Sequence, residues 1–376
     1  MYKNEFSLYI HVPFCAAFCD YCDFYSIVTE NSNAVMDGFV NVVIEDVKYQ
    51  IDFFNVEKIV CAYIGGGTPS LLGEKRVRLL LGELKKLPGF EPVEFTIEAN
   101  PESITEKLLT ACLEGGINRL SLGVQSFHEP SRLAVNRNGK TSALEEILAL
   151  VSRFFPGGFS ADMITGLPYQ TEEIVLSDIQ KLLAFKPSHV SLYDLSVESG
   201  TPYERKISSG ELPAPDRDKA DALWLFGRNA LLEAGFEHYE VSNFAPPGKR
   251  CLHNMRYWLM DSWLGAGPAA SGTVINEETA SAGRFTFAPD AEAYIKEPSV
   301  KKAVYEEINR TALLRESLLM GFRCREGPDA RKFKLRFGLG IEDCIPKTLS
   351  RWRNCDIMLF LNSFLTEAFC ELDADC

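Results

Sequence analysis

An α/β chain, organised as an open, partial (β/α)6 barrel followed by a mostly α-helical C-terminal domain, is predicted by three observations. Between residue 7 and about residue 197, six apolar strand-like runs alternate with helix-like segments. Side chains within those runs alternate between apolar and polar. From about residue 300 the pattern becomes mostly helical. Six units in series imply parallel strands joined by crossover helices, too few for a closed eight-fold barrel.

In order, the runs are "SLYIHV", "KIVCAYIGGG", "VEFTIEAN", "RLSLGVQS", "FSADMITG" and "HVSLYDLSV". Leu8, Ile10 and Val12 share one face of the first, with Tyr9 and His11 on the other. Val93, Phe95 and Ile97 oppose Glu94, Thr96 and Glu98; Leu120, Leu122 and Val124 oppose Ser121 and Gln125; Ala161 and Met163 oppose Ser160 and Asp162. The apolar faces suit packing against helices. The polar faces bring Glu98, Gln125 and Asp162 toward the C-terminal strand ends, where parallel barrels bind ligands. The segments between carry helical periodicity, as in "EKRVRLLLGELKKL" and "ITEKLLTACLEGG", which stops at Gly115 and Gly116.

"SSGELPAPDRDKA", residues 208–220, reads as a polar, Pro-bearing linker and divides the chain into 1–210 and 211–376. A helix, "ADALWLFGRNALLEAGF", follows it. Residues 237–272 then read as irregular.

Composition narrows the class. The chain is 376 residues long, 46% hydrophobic and 24% charged, enough for a full core and typical of a globular protein. No run of eighteen apolar residues is present, and the first residues lack the zones of a secretory signal or the Arg-rich amphipathy of a transit peptide. A cytoplasmic setting is expected, where eleven cysteines, an odd number, do not read as a disulfide framework. The net charge of −13 and the absence of a long basic run make nucleic acid a poor partner.

"FCAAFCDYCDF" places Cys15, Cys19 and Cys22 within eight residues, directly after the first strand. A structural zinc site takes four ligands, commonly two close pairs, and no partner pair exists elsewhere. Cys61, Cys112, Cys251, Cys324, Cys344, Cys355, Cys370 and Cys376 are scattered singly and read as small buried hydrophobes. A four-iron cubane normally takes four thiolates, so three leave one iron open to a substrate or cofactor.

CxxxCxxC on the loop after strand one of a partial (β/α)6 barrel resembles the radical S-adenosylmethionine (SAM) superfamily. The resemblance implies that Cys15, Cys19 and Cys22 hold three irons of a [4Fe-4S] cluster, with the amino and carboxylate groups of SAM on the fourth. Reductive cleavage of the sulfonium would then release a 5'-deoxyadenosyl radical. Gly66, Gly67 and Thr68 of "IGGGTPS" correspond to the segment that receives the methionine amino group. Glu98 would meet ribose hydroxyls, with an internal salt bridge as its alternative. Gln125, Arg137 and Asp162 match further cofactor contacts, and Tyr9 fits a position beside the cluster, near the adenosine.

"YIHVPFC", "CDYCDF", "IGGGTPS", "EANP", "LGVQSF", "GLPYQT" and "HNMRYW" together resemble the branch containing oxygen-independent coproporphyrinogen III oxidase and the heme chaperone HemW. The resemblance covers about residues 6 to 270 and gives residues 211–376 the character of that branch's C-terminal domain. The oxidase carries a further cysteine two residues after the third, where this chain has Phe24, and the chaperones carry HNxxYW, matched by His253, Asn254, Tyr257 and Trp258. Both features imply a chaperone that binds heme and delivers it to an acceptor hemoprotein, such as a membrane respiratory enzyme. An electron donor such as flavodoxin or ferredoxin would serve the cluster. The alternative is the oxidase reaction itself, decarboxylation of coproporphyrinogen III propionates; SAM cleavage is compatible with both.

His253 is a candidate axial ligand for heme, flanked by aromatic surfaces suited to a porphyrin. In the alternative, HNMRYW packs the second domain against the barrel, with His253 capping a loop. Two segments depart from the branch's pattern. Ser271 stands where relatives commonly show a glycine-alanine-histidine-glycine pattern, and "TLSRWRNCDIM" replaces the winged-helix-like element expected near the C-terminus.

Overall fold

The computed structural model describes residues 4–28, 33–139, 141–296 and 302–374, so Cys376 lies outside the described residues. The six expected runs form β1 (Glu5–Val12), β2 (Lys58–Gly66), β3 (Phe90–Ala99), β4 (Arg119–Gln125), β5 (Phe159–Thr165) and β6 (His189–Asp194). Each pairs in parallel with the next. Their crossovers are α1 (Asn33–Phe53), α2 (Gly73–Leu84), α3 (Glu106–Glu114), α4 (Leu144–Phe154) and α5 (Glu172–Leu183). Local chemistry starts two of these helices: Thr105 accepts from the Leu108 N–H and Thr171 from the Ile174 N–H, satisfying amides that a helix end leaves unpaired. Past α3, Gly116 takes φ 91°, a turn only glycine makes without strain.

The outward apolar faces meet these helices in one core that includes Leu8, Ile64, Phe95, Leu122, Ala161 and Leu192 from the strands. That core does not stop at residue 210. Leu264, Ala266, Phe285 and Tyr294 belong to it as well. The sheet likewise continues through both ends of the barrel. After α6 (Arg217–Glu233) come β7 (Glu237–Glu240) and β8 (Asn243–Ala245), then α7 (Leu252–Trp258), β9 (Trp263–Ala266), β10 (Ser271–Asn276), β11 (Ser281–Thr286) and β12 (Val304–Ile308). The strand order is β12-β11-β10-β9-β1-β2-β3-β4-β5-β6-β8-β7. β9 lies parallel to β1, with Ser7 opposite Trp263, and β8 antiparallel to β6.

Residues 237–272, expected to be irregular, thus hold strands and a helix that cover both edges of the barrel sheet. Strands of three or four residues are too short to show a readable alternation, which is why the pattern hid them.

The helical remainder matches expectation. α8 (Arg310–Gly321), α9 (Ala330–Phe337) and α10 (Leu361–Ala374) enclose a second core of Leu313, Leu318, Phe333, Phe337 and Phe364. No helix among the described residues is long and apolar enough to cross a membrane.

Residues 1–210 expressed alone should give no cooperative thermal transition, because β1 then loses its β9 partner and the core loses its C-terminal side chains. In the full chain Leu264→Ala, at a fully buried position, should cost about 2–5 kcal/mol, read from chemical denaturation.

Candidate metal centre and adjoining cavity

The cysteine loop leaves β1 at Pro13 and is pinched at its base, where Phe14–Cys15 pairs with Ile27–Val28. The Asp20 N–H bonds to Val135 O (3.0 Å), Asn136 Nδ2 to Phe18 O (2.7 Å) and the Tyr203 N–H to Asp20 O (2.9 Å). Cys15, Cys19 and Cys22 are free, half-buried thiols. Thr68 Oγ1 lies 3.8 Å from Cys15 Sγ, and Arg137 Nη1, 3.9 Å from Cys19 Sγ, brings positive charge to a sulfur that ligates as an anion. Among the described residues no three His, Cys, Asp or Glu side chains converge on one ion.

The thiols stand at the mouth of a cavity of about 400 Å³ at the C-terminal strand ends. One wall is the glycine run. Gly66 has φ 109°, and a Cβ there would sit 2.7 Å from the His11 ring; a Cβ on Gly67 would meet Phe14 O at 2.7 Å and Cys15 Sγ at 3.0 Å. Backbone bonds from the Gly67 N–H to Val12 O (2.8 Å) and the Thr68 N–H to Phe14 O (2.7 Å) hold this wall against the cysteine loop. The cavity therefore presents bare main chain beside the thiols.

The inner wall is acidic. Glu98 accepts from Tyr63 Oη at 2.6 Å and from the Gly66 N–H at 3.1 Å. Asp162 accepts from Ser121 Oγ at 3.3 Å. Burial raises both carboxyls, Glu98 to about 7; Arg119 and Arg137 offset the rise of Asp162 only in part, and no cation acts on Glu98. The salt bridge considered for Glu98 is absent among the described residues. Gln125 adopts φ 67° beside a bulge in β4, and its Oε1 is buried without a partner. Arg137 Nη2 donates to Gly123 O (2.6 Å) and Asn100 Oδ1 (2.9 Å), while Asn100 Nδ2 donates to Thr68 Oγ1 (3.1 Å).

Cys15, Cys19, Cys22, Gly66, Gly67, Thr68, Glu98, Gln125, Arg137 and Asp162 thus gather around one cavity. Tyr9 is not on its lining; it lies deeper, its Oη 3.1 Å from His11 Nδ1. Asn100, Ser121, Tyr63 and Tyr193 were not singled out in the sequence. Asn100 stands inside "EANP", and Tyr63 and Tyr193 share the inward parity of their strands, which was the available signal.

His253 lies elsewhere. On α7, beneath the cavity, it is 1% exposed. Its N–H donates to Glu94 Oε1 (2.9 Å), its Nε2 pairs with Tyr257 Oη (2.9 Å), and burial lowers its pKa to about 3. Axial ligation needs a nitrogen open to the macrocycle, so the heme-ligand expectation finds no support in this geometry. Packing of HNMRYW against the barrel describes it. Ser271 bonds to Phe285 O and Thr286 Oγ1, within the β10–β11 ribbon.

An open parallel barrel with three thiols above a glycine-walled, acid-floored cavity defines a radical SAM protein. Residues 9–182 match the Radical SAM superfamily, and residues 308–356 match the HemN C-terminal domain. The heme chaperone HemW of Lactococcus lactis subsp. lactis (strain IL1403) is 32% identical over 347 residues, 91% of this chain and 88% of its own length. The mitochondrial Radical S-adenosyl methionine domain-containing protein 1 of Mus musculus is 35% identical, over 85% of this chain and 74% of its own. Coproporphyrinogen III oxidase (HemN) from Escherichia coli superposes with a TM-score of 0.78 over 93% of this chain and 82% of that one; at 21% identity the likeness is one of fold. The chain belongs to the heme chaperone HemW family of the radical SAM superfamily.

Because Glu98 binds its proton more tightly folded than unfolded, stability without cofactor should fall as pH rises from about 4.5 through about 7. Glu98→Gln should therefore melt above the parent at pH 8, by roughly 1–3 kcal/mol of stability, with the gap closing toward pH 4.5, as read by calorimetry.

Proposed function

We propose that this chain holds a [4Fe-4S] cluster on Cys15, Cys19 and Cys22, binds SAM in the adjoining cavity, and carries heme to an acceptor hemoprotein. The observation that carries the cofactor reading is bare glycine backbone pressed against the thiol loop, above buried acceptors that the protein itself satisfies incompletely. Gln125 Oε1 has no partner, and Glu98 has no cation. A ligand with hydroxyl and ammonium donors fits both needs. About 400 Å³ is the size of a pocket for one such ligand.

In this reading Gly66, Gly67 and Thr68 take the methionine end, Glu98 fixes the ribose, and Gln125, Arg137 and Asp162 orient the remainder. Tyr9 acts from the layer below through His11. Bound together, the cluster and the sulfonium nucleotide supply one-electron reductive cleavage. The residues' own task is to fix the nucleotide's orientation, keep the cavity wall free of side chains and hold anionic sulfur beside Arg137. An electron donor such as flavodoxin or ferredoxin is expected to reduce the cluster.

The heme reading is supported by relatives named as heme chaperones along most of this chain. Phe24 supports it too: it replaces the extra cysteine of the oxidase and stands 67% exposed beside the cavity mouth with Phe18, an aromatic surface suited to a flat macrocycle. A cytoplasmic setting, with a membrane respiratory enzyme as acceptor, completes the proposal.

Anaerobic reconstitution should load about four irons and four sulfides per chain, with an electron paramagnetic resonance signal that changes on adding SAM. The Cys15→Ala, Cys19→Ala, Cys22→Ala triple variant should load neither. Hemin should give a saturable Soret change and pass to an apo-hemoprotein. Zinc in place of iron, or a signal indifferent to SAM, rejects the cofactor reading; conversion of coproporphyrinogen to protoporphyrinogen replaces the chaperone with the oxidase.

A further inference from the structure

α7, which carries HNMRYW, contributes no group to the proposed cofactor contacts, yet its side chains lie directly beneath them. Glu94 on β3 accepts from the Leu252 N–H at 3.0 Å and from the His253 N–H at 2.9 Å, which fixes the first turn of α7 against the inner barrel wall. One turn later Tyr257 Oη meets His253 Nε2 at 2.9 Å and stops the imidazole from turning. The imidazole lies against the Tyr63 ring, with centroids 5.1 Å apart and planes 31° apart. Tyr63 Oη then donates to Glu98 Oε1 at 2.6 Å, at the cavity.

We infer that α7 is a brace for the nucleotide site: Tyr63 is a positioning residue for Glu98, and His253 is the positioning residue for Tyr63. The inference rests on the cavity being the SAM site and says how its ribose-facing carboxylate is held. Tyr9 from β1, Tyr63 from β2, Asp162 from β5 and Tyr193 from β6 are the titratable groups that face Glu98, and none is a cation. Tyr63 is its one side-chain donor among the described residues, with the Gly66 N–H as the main-chain donor. A carboxylate held by two donors loses its fixed plane when one is removed, and its ionised form loses a charge-assisted bond. His253 has no part in that bond. It fills the space behind the phenol ring, so that the ring cannot retreat from Glu98.

The test uses the full chain, reconstituted anaerobically, with SAM affinity measured by equilibrium dialysis from pH 5.5 to 8.5. Tyr63→Phe should weaken binding roughly tenfold and move the rise of affinity with pH toward higher pH. Glu98→Gln should flatten that rise. His253→Ala should act in the direction of Tyr63→Phe, and His253→Phe, which restores a flat ring against Tyr63, should recover most of the affinity; hemin binding should persist in both. The cluster-free chain gives an independent readout: the fall of melting temperature with pH that Glu98→Gln abolishes should shift to higher pH in Tyr63→Phe. Tyr63→Phe with unchanged affinity and unchanged pH dependence overturns the brace. So does His253→Ala that loses hemin while binding SAM as the parent does. If the parent binds no SAM but the melting shift still appears in Tyr63→Phe, the brace stands and the cofactor reading falls.

Discussion

Everything at the functional end of this molecule depends on how closely the main chain at Gly66–Thr68 lies against the loop that carries the thiols. Two backbone hydrogen bonds set the approach, and Gly67 leaves no space for a side chain between the wall and Cys15. The loop has little regular structure of its own, so its shape is borrowed from β2 behind it and from the Val135–Asn136 turn beside it. Arg137 extends that borrowing: one guanidinium spans Cys19, Gly123 and Asn100 and ties the loop to β4 and to the end of β3. Buried Arg with fixed acceptors suits such a joint because its planar fork orients as it binds.

The inner barrel is layered. Acceptors that call for a ligand occupy the top. Tyr9 and Tyr63 lie below them, and at the base Glu94 receives α7. The base is closed by residues far along the chain, so the barrel beneath the cavity is completed by the second half. The edge strands repeat this division of labour, since β9 and β8 cover the flanks that an open barrel would leave as unpaired backbone.

Much of this was legible in the sequence, for reasons that can be stated. Parallel strands of seven to ten residues with one helix-facing side show a clean alternation, and from it Glu98, Gln125 and Asp162 were placed inward. The thiol spacing is a local signal and needed no tertiary information. Residues 237–272 were not legible, because three- and four-residue strands next to prolines carry no periodicity. Asn100 and Tyr63 were overlooked because their importance lies in what they touch across the barrel. The surroundings of His253 were not legible for a related reason: a motif reveals residue types, and only the fold shows its imidazole packed on Tyr63.

The parallel pairing of Ser7 with Trp263 has a temporal consequence. A ribosome emits the thiol loop long before β9, the strand that completes the neighbourhood of β1. Contacts so distant in the chain close late and slowly. Until β9 has emerged, the three sulfurs therefore ride on an unfinished scaffold.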